Sequence, residues 1–420
     1  METFRSSKLI TNTLIYGLAS SIGAVFPLIL VPVLTRYLTP EAYGKWAMFQ
    51  IAIAALAPIV VLGVQSSIRR QCVDRQQCDF GKYVGTSMLI VFMSGIIVSL
   101  VLALAHPWLT AAVGLDSKWM FVAVLSCVVA MPASILASIW QMELRAVAYS
   151  VLQLVQPALR TILTIVLVVV LAMNWQGAAI SLVATACVML PFAMCLIYRQ
   201  YQLKLRFDAG YAHHILSFSV PLVFYALSNV VIRAADRVLI IAMIGLSGAG
   251  IYTSSLQIAS ILVIASQAFM LTWEPYLYSK LKSNDEHSLK QIVRSWYAYV
   301  LVLAIVATAI MLSADVVAAT VLGEAFLSAR EFLPWLCCAF VFQGIYVSLT
   351  LFIKYRRSNR VIGYTAVCVA ILNIALNAWL LGTHGIVGAA QATLCVYITA
   401  SIILMCVVVR RYKLPWFRIL

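Results

Sequence analysis

Apolar runs of about twenty residues, separated by short polar stretches, recur along the whole chain. A helix crossing a bilayer needs about 20 mostly apolar residues. Twelve runs meet that length: 9–34, 46–68, 85–106, 119–140, 151–172, 177–198, 213–243, 250–272, 295–314, 332–353, 361–381 and 385–409. The expected architecture is an all-α integral membrane protein with twelve spanning helices. The seventh run is the odd one, because Arg233, Asp236 and Arg237 interrupt it. Every connection is expected to be short. The longest is expected from Trp273 to Arg294, carrying Lys282, Asn284, Asp285, Glu286 and His287. The first run lacks a cleavage site after it and reads as a retained helix rather than a signal peptide.

Composition agrees. Of 420 residues, 64% are apolar and 10% charged, where ordinary soluble domains have about 45–50% and about 25%. Mean hydropathy is +1.00. A soluble fold this apolar would expose aggregation-prone patches. That excludes a soluble enzyme, a secreted disulfide scaffold and a disordered tail. The ten cysteines lie mostly inside apolar runs, and the Cys72/Cys78 spacing fits no usual zinc pattern. They read as inert and unbridged.

The net charge of +15 would suggest nucleic acid in a soluble protein. Its distribution says otherwise. With a cytoplasmic N-terminus, 22 of the 29 basic residues fall on the inside, four outside and three within spans. That bias follows the positive-inside rule and puts both termini in the cytoplasm. No nucleic acid partner is needed.

The chain also repeats weakly at an offset near 210. Gly177-Ala178-Ala179 falls on Gly388-Ala389-Ala390, and Arg199 on Arg410. Ala105 and Gly114 fall on Ala314 and Gly323. Tyr43-Gly44-Lys45-Trp46 parallels Ala249-Gly250-Ile251-Tyr252. Six spans per half give both halves the same orientation, so the expected domains are two six-helix lobes, 1–208 and 209–420. Parallel repeats recur in transporter folds, with substrate held between the halves.

Polar groups at bilayer depth are costly and usually face an interior cavity. Arg160 lies near the middle of the fifth run. Gln153, Gln156 and Arg160 form a polar stripe on one helix face. Arg233, Asp236 and Arg237 are spaced i, i+3, i+4 and share a face. They mark an anion site if the seventh helix continues to about Ile244, or headgroup contacts if it ends near Ile232. Asn373 and Asn377, at i and i+4, suit substrate contact or interhelical hydrogen bonding equally. Asn12, Tyr16, Ser20, Asn229, Gln257 and Gln267 carry the same two readings. Interior arginines outnumber interior acids, and guanidinium suits phosphate. The expected cargo is anionic. No Gly-x-x-x-x-Gly-Lys loop and no metal-binding set is present in the sequence.

The opening segment, Asn12 through Arg36-Tyr37-Leu38-Thr39-Pro40-Glu41-Ala42-Tyr43-Gly44, resembles the first hairpin of Wzx-type O-antigen and polysaccharide flippases. These belong to the multidrug/oligosaccharidyl-lipid/polysaccharide (MOP) exporter superfamily. Gly63 to Arg69, and Arg233-x-x-Asp236-Arg237 followed by Gly250-Ile251-Tyr252, resemble further family segments. Arg36, Glu41, Gly44 and Gly250 are the motif positions.

The resemblance implies a V-shaped, MATE-like bundle of two lobes in a bacterial inner membrane. It implies no enzyme activity and a cationic cavity that takes the pyrophosphate and sugars of an undecaprenyl-linked oligosaccharide. Arg160, Arg233 and Arg237 would be contacts, with Asp236 orienting the arginines. It also implies a monomer among membrane lipids that works with a polysaccharide polymerase and a chain-length regulator. No cofactor is expected. Relatives couple to protons or sodium, but no acid here stands out as a coupling site. Two rivals stay open: a multidrug or cation antiporter of the same fold, and a membrane polymerase or glycosyltransferase.

Overall fold

The computed structural model describes residues 2–73, 75, 78–105, 115–283, 285–355, 359–412 and 414–416. Among the described residues there is no strand. The long helices are α1 (Glu2–Tyr37), α2 (Pro40–Val61), α4 (Phe80–Leu104), α5 (Ser117–Met142), α6 (Ala146–Ile165), α7 (Asn174–Tyr201) and α8 (Ala209–Met243). They continue as α9 (Leu246–Ser283), α10 (Glu286–Leu312), α12 (Leu333–Tyr355), α13 (Asn359–His384) and α14 (Ile386–Arg411). Two shorter helices, α3 (Val64–Val73) and α11 (Ala314–Val321), complete the set. Among the described residues, eleven helices are long and apolar enough to cross a membrane. The helix over the seventh run, α8, is not among those eleven. It is nonetheless one continuous helix of 35 residues, so it does not end near Ile232.

Two expectations are corrected. The second run is not one helix over 46–68. Leu62 and Gly63 both take positive φ, 51° and 64°, which an α-helix cannot continue through, so the run breaks into α2 and α3. The expected loop from Trp273 to Arg294 is almost entirely helical. Trp273, Leu277 and Leu281, at i, i+4 and i+8, are all buried, and this stripe carries α9 on to Ser283. Lys280 and Lys282 lie in its last turn, where positive charge suits the helix dipole. Asp285 then accepts a hydrogen bond from the Ser288 amide at 2.9 Å and caps α10.

The chain packs as two compact units, Met1–Phe26 with Ala42–Ala234, and Pro27–Glu41 with Ala235–Leu420. Neither is a continuous half of the chain. The packing units share out α1 and α8, whereas the sequence repeat predicts a cut at 208.

Within each unit the same neighbours recur. In the first unit α5 packs on α7, α7 on α6, and α4 on α5. In the second unit α12 packs on α14, α14 on α13, and α10 on α12. The repeat glycines show why. A Cβ on Gly388 would meet the Leu380 carbonyl oxygen at 2.0 Å, and one on Gly177 would meet Leu167 backbone at 3.0 Å. Each glycine lets the last helix of its repeat sit against the backbone just before it. Ala178, Ala179, Ala389 and Ala390 follow, all fully buried.

Residues 202–206 form a strap along α4. Gly81 and Gly85 make room for it, since a Cβ at either would strike the Gln202 or Lys204 carbonyl oxygen. Two crossed ion pairs hold it, Lys82 to Asp208 at 2.6 Å and Lys204 to Asp79 at 2.8 Å. The Lys204 hydrogen bond holds Asp79, and the Lys82 hydrogen bond holds Asp208, below the usual carboxylate range.

Two predictions follow from this packing. Gly388→Ala should destabilise the protein by about 1–3 kcal/mol, and more than Gly177→Ala, in thermal unfolding in detergent. Equal effects would contradict the closer approach at Gly388. The depressed carboxyl groups favour the strap above the ordinary carboxylate pKa of about 4, and that contribution is lost as pH falls through the lower folded values. A nitroxide at position 207 should therefore keep constant mobility from pH 7 to about 5 and loosen only below about 4. Loosening already near pH 6 would contradict control of the strap by these two carboxylates.

Candidate functional site

The first unit holds a cavity of about 370 Å³ between α2/α3, α5, α6 and α7. Arg160 and Gln156 line it from α6 and Gln65 from α3, with Ser134 and Thr185 on the other walls. Arg160 lies roughly 20 Å along the helical stretch that starts at Ala146. Pro157 also faces the cavity and lacks the N–H that would bond the Gln153 carbonyl. Six residues beyond Arg160 the helix passes into a π turn, Val166–Val170. Such turns concentrate at functional sites.

The partners of Arg160 are few. Its guanidinium lies over the Trp46 ring, 5.6 Å from the centroid. Its Nε is buried and has no hydrogen-bond partner among the described residues. No carboxylate among the described residues pairs with it or lines the cavity. Trp46 belongs to an aromatic cluster with Phe49, Trp119 and Trp175, which fixes the ring.

The second unit holds a different polar group. Asp236 is buried. Its Oδ2 accepts a hydrogen bond from the Tyr252 hydroxyl at 3.1 Å. Its Oδ1 accepts one from the Arg237 amide at 2.8 Å and lies 3.7 Å from Arg237 Nε. The Tyr252 hydroxyl also lies 3.5 Å from Thr393 Oγ1 on α14. The side chain of Arg233 lies outside the described residues, as do those of Asn12, Tyr16, Ser20 and Asn229.

Asn373 and Asn377 are both buried on α13. Asn377 Nδ2 donates to the Asn373 carbonyl at 2.9 Å, and both side-chain oxygens lack hydrogen-bond partners among the described residues. They glue no helices together through those oxygens. No hydrogen bond joins them to Asp236 among the described residues. Gln257 is half-buried and Gln267 exposed.

The motif residues hold the frame. Arg36 Nη2 donates to the Thr320 carbonyl at 2.6 Å, and the Gly323 amide donates to Thr35 Oγ1 at 3.2 Å. The end of α1 thus docks on the turn after α11. Glu41 is an acid in the first turn of α2, where the helix dipole favours it. Gly44 and Gly250 are buried near the starts of α2 and α9.

Sequence reasoning missed Trp46, Tyr252 and Gln65 as site residues. A signal existed. Trp46 and Tyr252 occupy the same position of the repeat, and each contacts the buried ionic group of its own unit. Gln65-Ser66-Ser67 is a polar interruption just after Gly63 in an apolar run.

This arrangement is a bundle of long apolar helices with ionic groups placed inside it. Solved structures agree on the fold. An inward-facing multidrug resistance MATE family transporter of the MOP superfamily matches with TM-score 0.66 at 17% identity, over 95% of this chain and 94% of that one. A MOP superfamily transporter from Pyrococcus furiosus, reported for the reversed polarity of its binding pocket, matches with TM-score 0.61 at 14% identity, over 95% of each chain. Among curated proteins, protein 1 of the Lsg locus of Haemophilus influenzae is 22% identical over 375 residues, 88% of this chain and 90% of that protein. An uncharacterised membrane protein of the same organism is 25% identical over 287 residues, 66% of this chain and 67% of that protein. The model of the polysaccharide biosynthesis protein family matches residues 9–280. The chain belongs to that family.

Replacing Tyr252 by Phe leaves buried Asp236 Oδ2 without its donor. The expected cost is about 1–3 kcal/mol, read as a lower unfolding temperature in detergent. An unchanged temperature would show that this bond contributes nothing.

Proposed function

We propose that the protein is a flippase. It moves an undecaprenyl-pyrophosphate-linked oligosaccharide from the cytoplasmic to the outer leaflet of a bacterial inner membrane by alternating access of two six-helix lobes. In this reading α8 is the twelfth span and both termini are cytoplasmic, as the basic residues favour. The observation that carries it is Arg160, a permanent cation at an internal cavity that no carboxylate among the described residues neutralises. A site for cationic drugs needs the opposite charge. Arg160, Arg233 and Arg237 are the phosphate or acidic-sugar contacts, with Gln156, Asn373 and Asn377 as neutral ones. The family supports a polysaccharide cargo.

Asp236 supplies the coupling step in this reading. It is the one buried carboxylate among the described residues. A proton or a sodium ion arriving there changes the charge presented beside Arg237. Asp236→Asn should keep cargo binding and lose dependence of transport on the ion gradient. Undiminished gradient dependence would remove Asp236 from the coupling role.

The whole reading is tested by deletion and complementation. The deletion strain should lose surface polysaccharide and accumulate complete lipid-linked repeat units on the cytoplasmic face. Wild type should restore it, and Arg160→Gln at equal protein level should restore a tenth or less. Incomplete repeat units would point to an assembly enzyme. Normal surface polymer with drug sensitivity would return the antiporter.

A further inference from the structure

The Arg160 cavity raises a problem of charge balance that cargo solves only while it is bound. A lysine or an acid in such a place could neutralise itself by gaining or losing a proton. An arginine cannot, because its guanidinium stays charged in proteins. An uncompensated charge at this depth is costly, and a single ring face at 5.6 Å offsets only about 2 kcal/mol of that when desolvated.

Three polar side chains of the cavity wall have unused hydrogen-bonding groups, one buried and two half-buried. Arg160 Nε is buried without a hydrogen-bond partner. Gln156 and Gln65 also line the wall, and neither side chain has a hydrogen bond among the described residues. Their amides add N–H donors to those of the guanidinium. The hydroxyls nearby are already committed, Thr185 to the Ser181 carbonyl at 2.7 Å and Ser134 to the Ala130 carbonyl at 3.2 Å. The free groups are therefore rich in donors and carry one positive charge.

We propose that this cavity is a binding site for a small monovalent inorganic anion of the chloride class, held by Arg160, Gln156 and Gln65. One negative charge balances the one guanidinium. A dianion would leave the cavity net negative, with no second cation lining it. The volume of about 370 Å³ accommodates such an ion with several waters. The site lies wholly within the first packing unit and shares Arg160 and Gln156 with the proposed cargo contacts, so the ion occupies it when cargo does not.

The test uses the full chain purified in detergent with gluconate as the only anion. Sodium chloride is titrated against sodium gluconate at constant ionic strength, with calorimetry and unfolding temperature as readouts. Crystals soaked in bromide give the position from anomalous scattering. Wild type is expected to bind chloride saturably, to gain unfolding temperature with it, and to place bromide beside Arg160. Arg160→Gln should lose saturable binding. Gln156→Leu should weaken it about 10-fold or more, as expected for one hydrogen bond to a charged group. The surface variant Lys118→Gln should bind as wild type does. If Arg160→Gln does not fold, Gln156→Leu and Gln65→Leu decide the matter through their affinities. No saturable chloride effect in wild type overturns the proposal, as does an effect that Arg160→Gln leaves unchanged. Binding of a polyprenyl diphosphate lipid with none of chloride or bromide also overturns it, and leaves the flippase reading standing. Chloride binding in a protein whose deletion leaves surface polymer intact supports the site and overturns the flippase reading instead.

Discussion

A charge that cannot be titrated away, set midway along an apolar spanning helix, is the constraint on which this structure turns. Arg160 sits midway along a spanning helix and finds a tryptophan face but, among the described residues, no carboxylate. Everything near it bears on that fact. The aromatic cluster around Trp46 holds the ring in place. Pro157 and the π turn beyond Arg160 interrupt the helix where a uniform one would only pack against neighbours. The break at Leu62-Gly63 starts α3 two residues before Gln65, which faces the same cavity.

The second unit solves a related problem by different means. There the buried charge is an acid, and its neighbours satisfy it. Tyr252 and the Arg237 amide donate to Asp236, and the Arg237 guanidinium lies close by. The two units share their helix neighbours and their glycine contacts, yet one holds an arginine without a carboxylate among the described residues and the other an aspartate beside an arginine. Duplicated folds make this natural. Backbone packing at Gly177 and Gly388 fixes the frame, and side chains inside each frame are then free to diverge. The proposed function assigns the cation of the first unit to cargo and the buried carboxylate of the second to coupling.

Much of this was legible in the sequence. Run length and charge asymmetry are strong signals in a bilayer, because the lipid imposes both. Arg160, Gln156, Asp236 and Arg237 stood out because ionic and amide groups are rare in apolar runs. What escaped was set by packing rather than pattern. The break at Leu62-Gly63 involves a leucine in a left-handed conformation, which hydropathy does not reveal. The stretch after Trp273 looked like a loop because it is polar on average, yet its stripe of Trp273, Leu277 and Leu281 makes it helix. Trp46 and Tyr252 look like ordinary interfacial aromatics until the repeat is laid over the ionic groups they touch. Gln65 is one polar residue in a serine-rich step and gains meaning only from the cavity it lines.

The most direct measurement is leaflet transfer by the purified protein. It would be reconstituted into liposomes that carry a polyprenyl-diphosphate oligosaccharide, with an enzyme outside that modifies only outer-leaflet sugar. With the protein present, the inner-leaflet half should become accessible within the assay, and with Arg160→Gln it should stay protected. Equal protection with and without the protein, under an imposed proton or sodium gradient, would contradict the account.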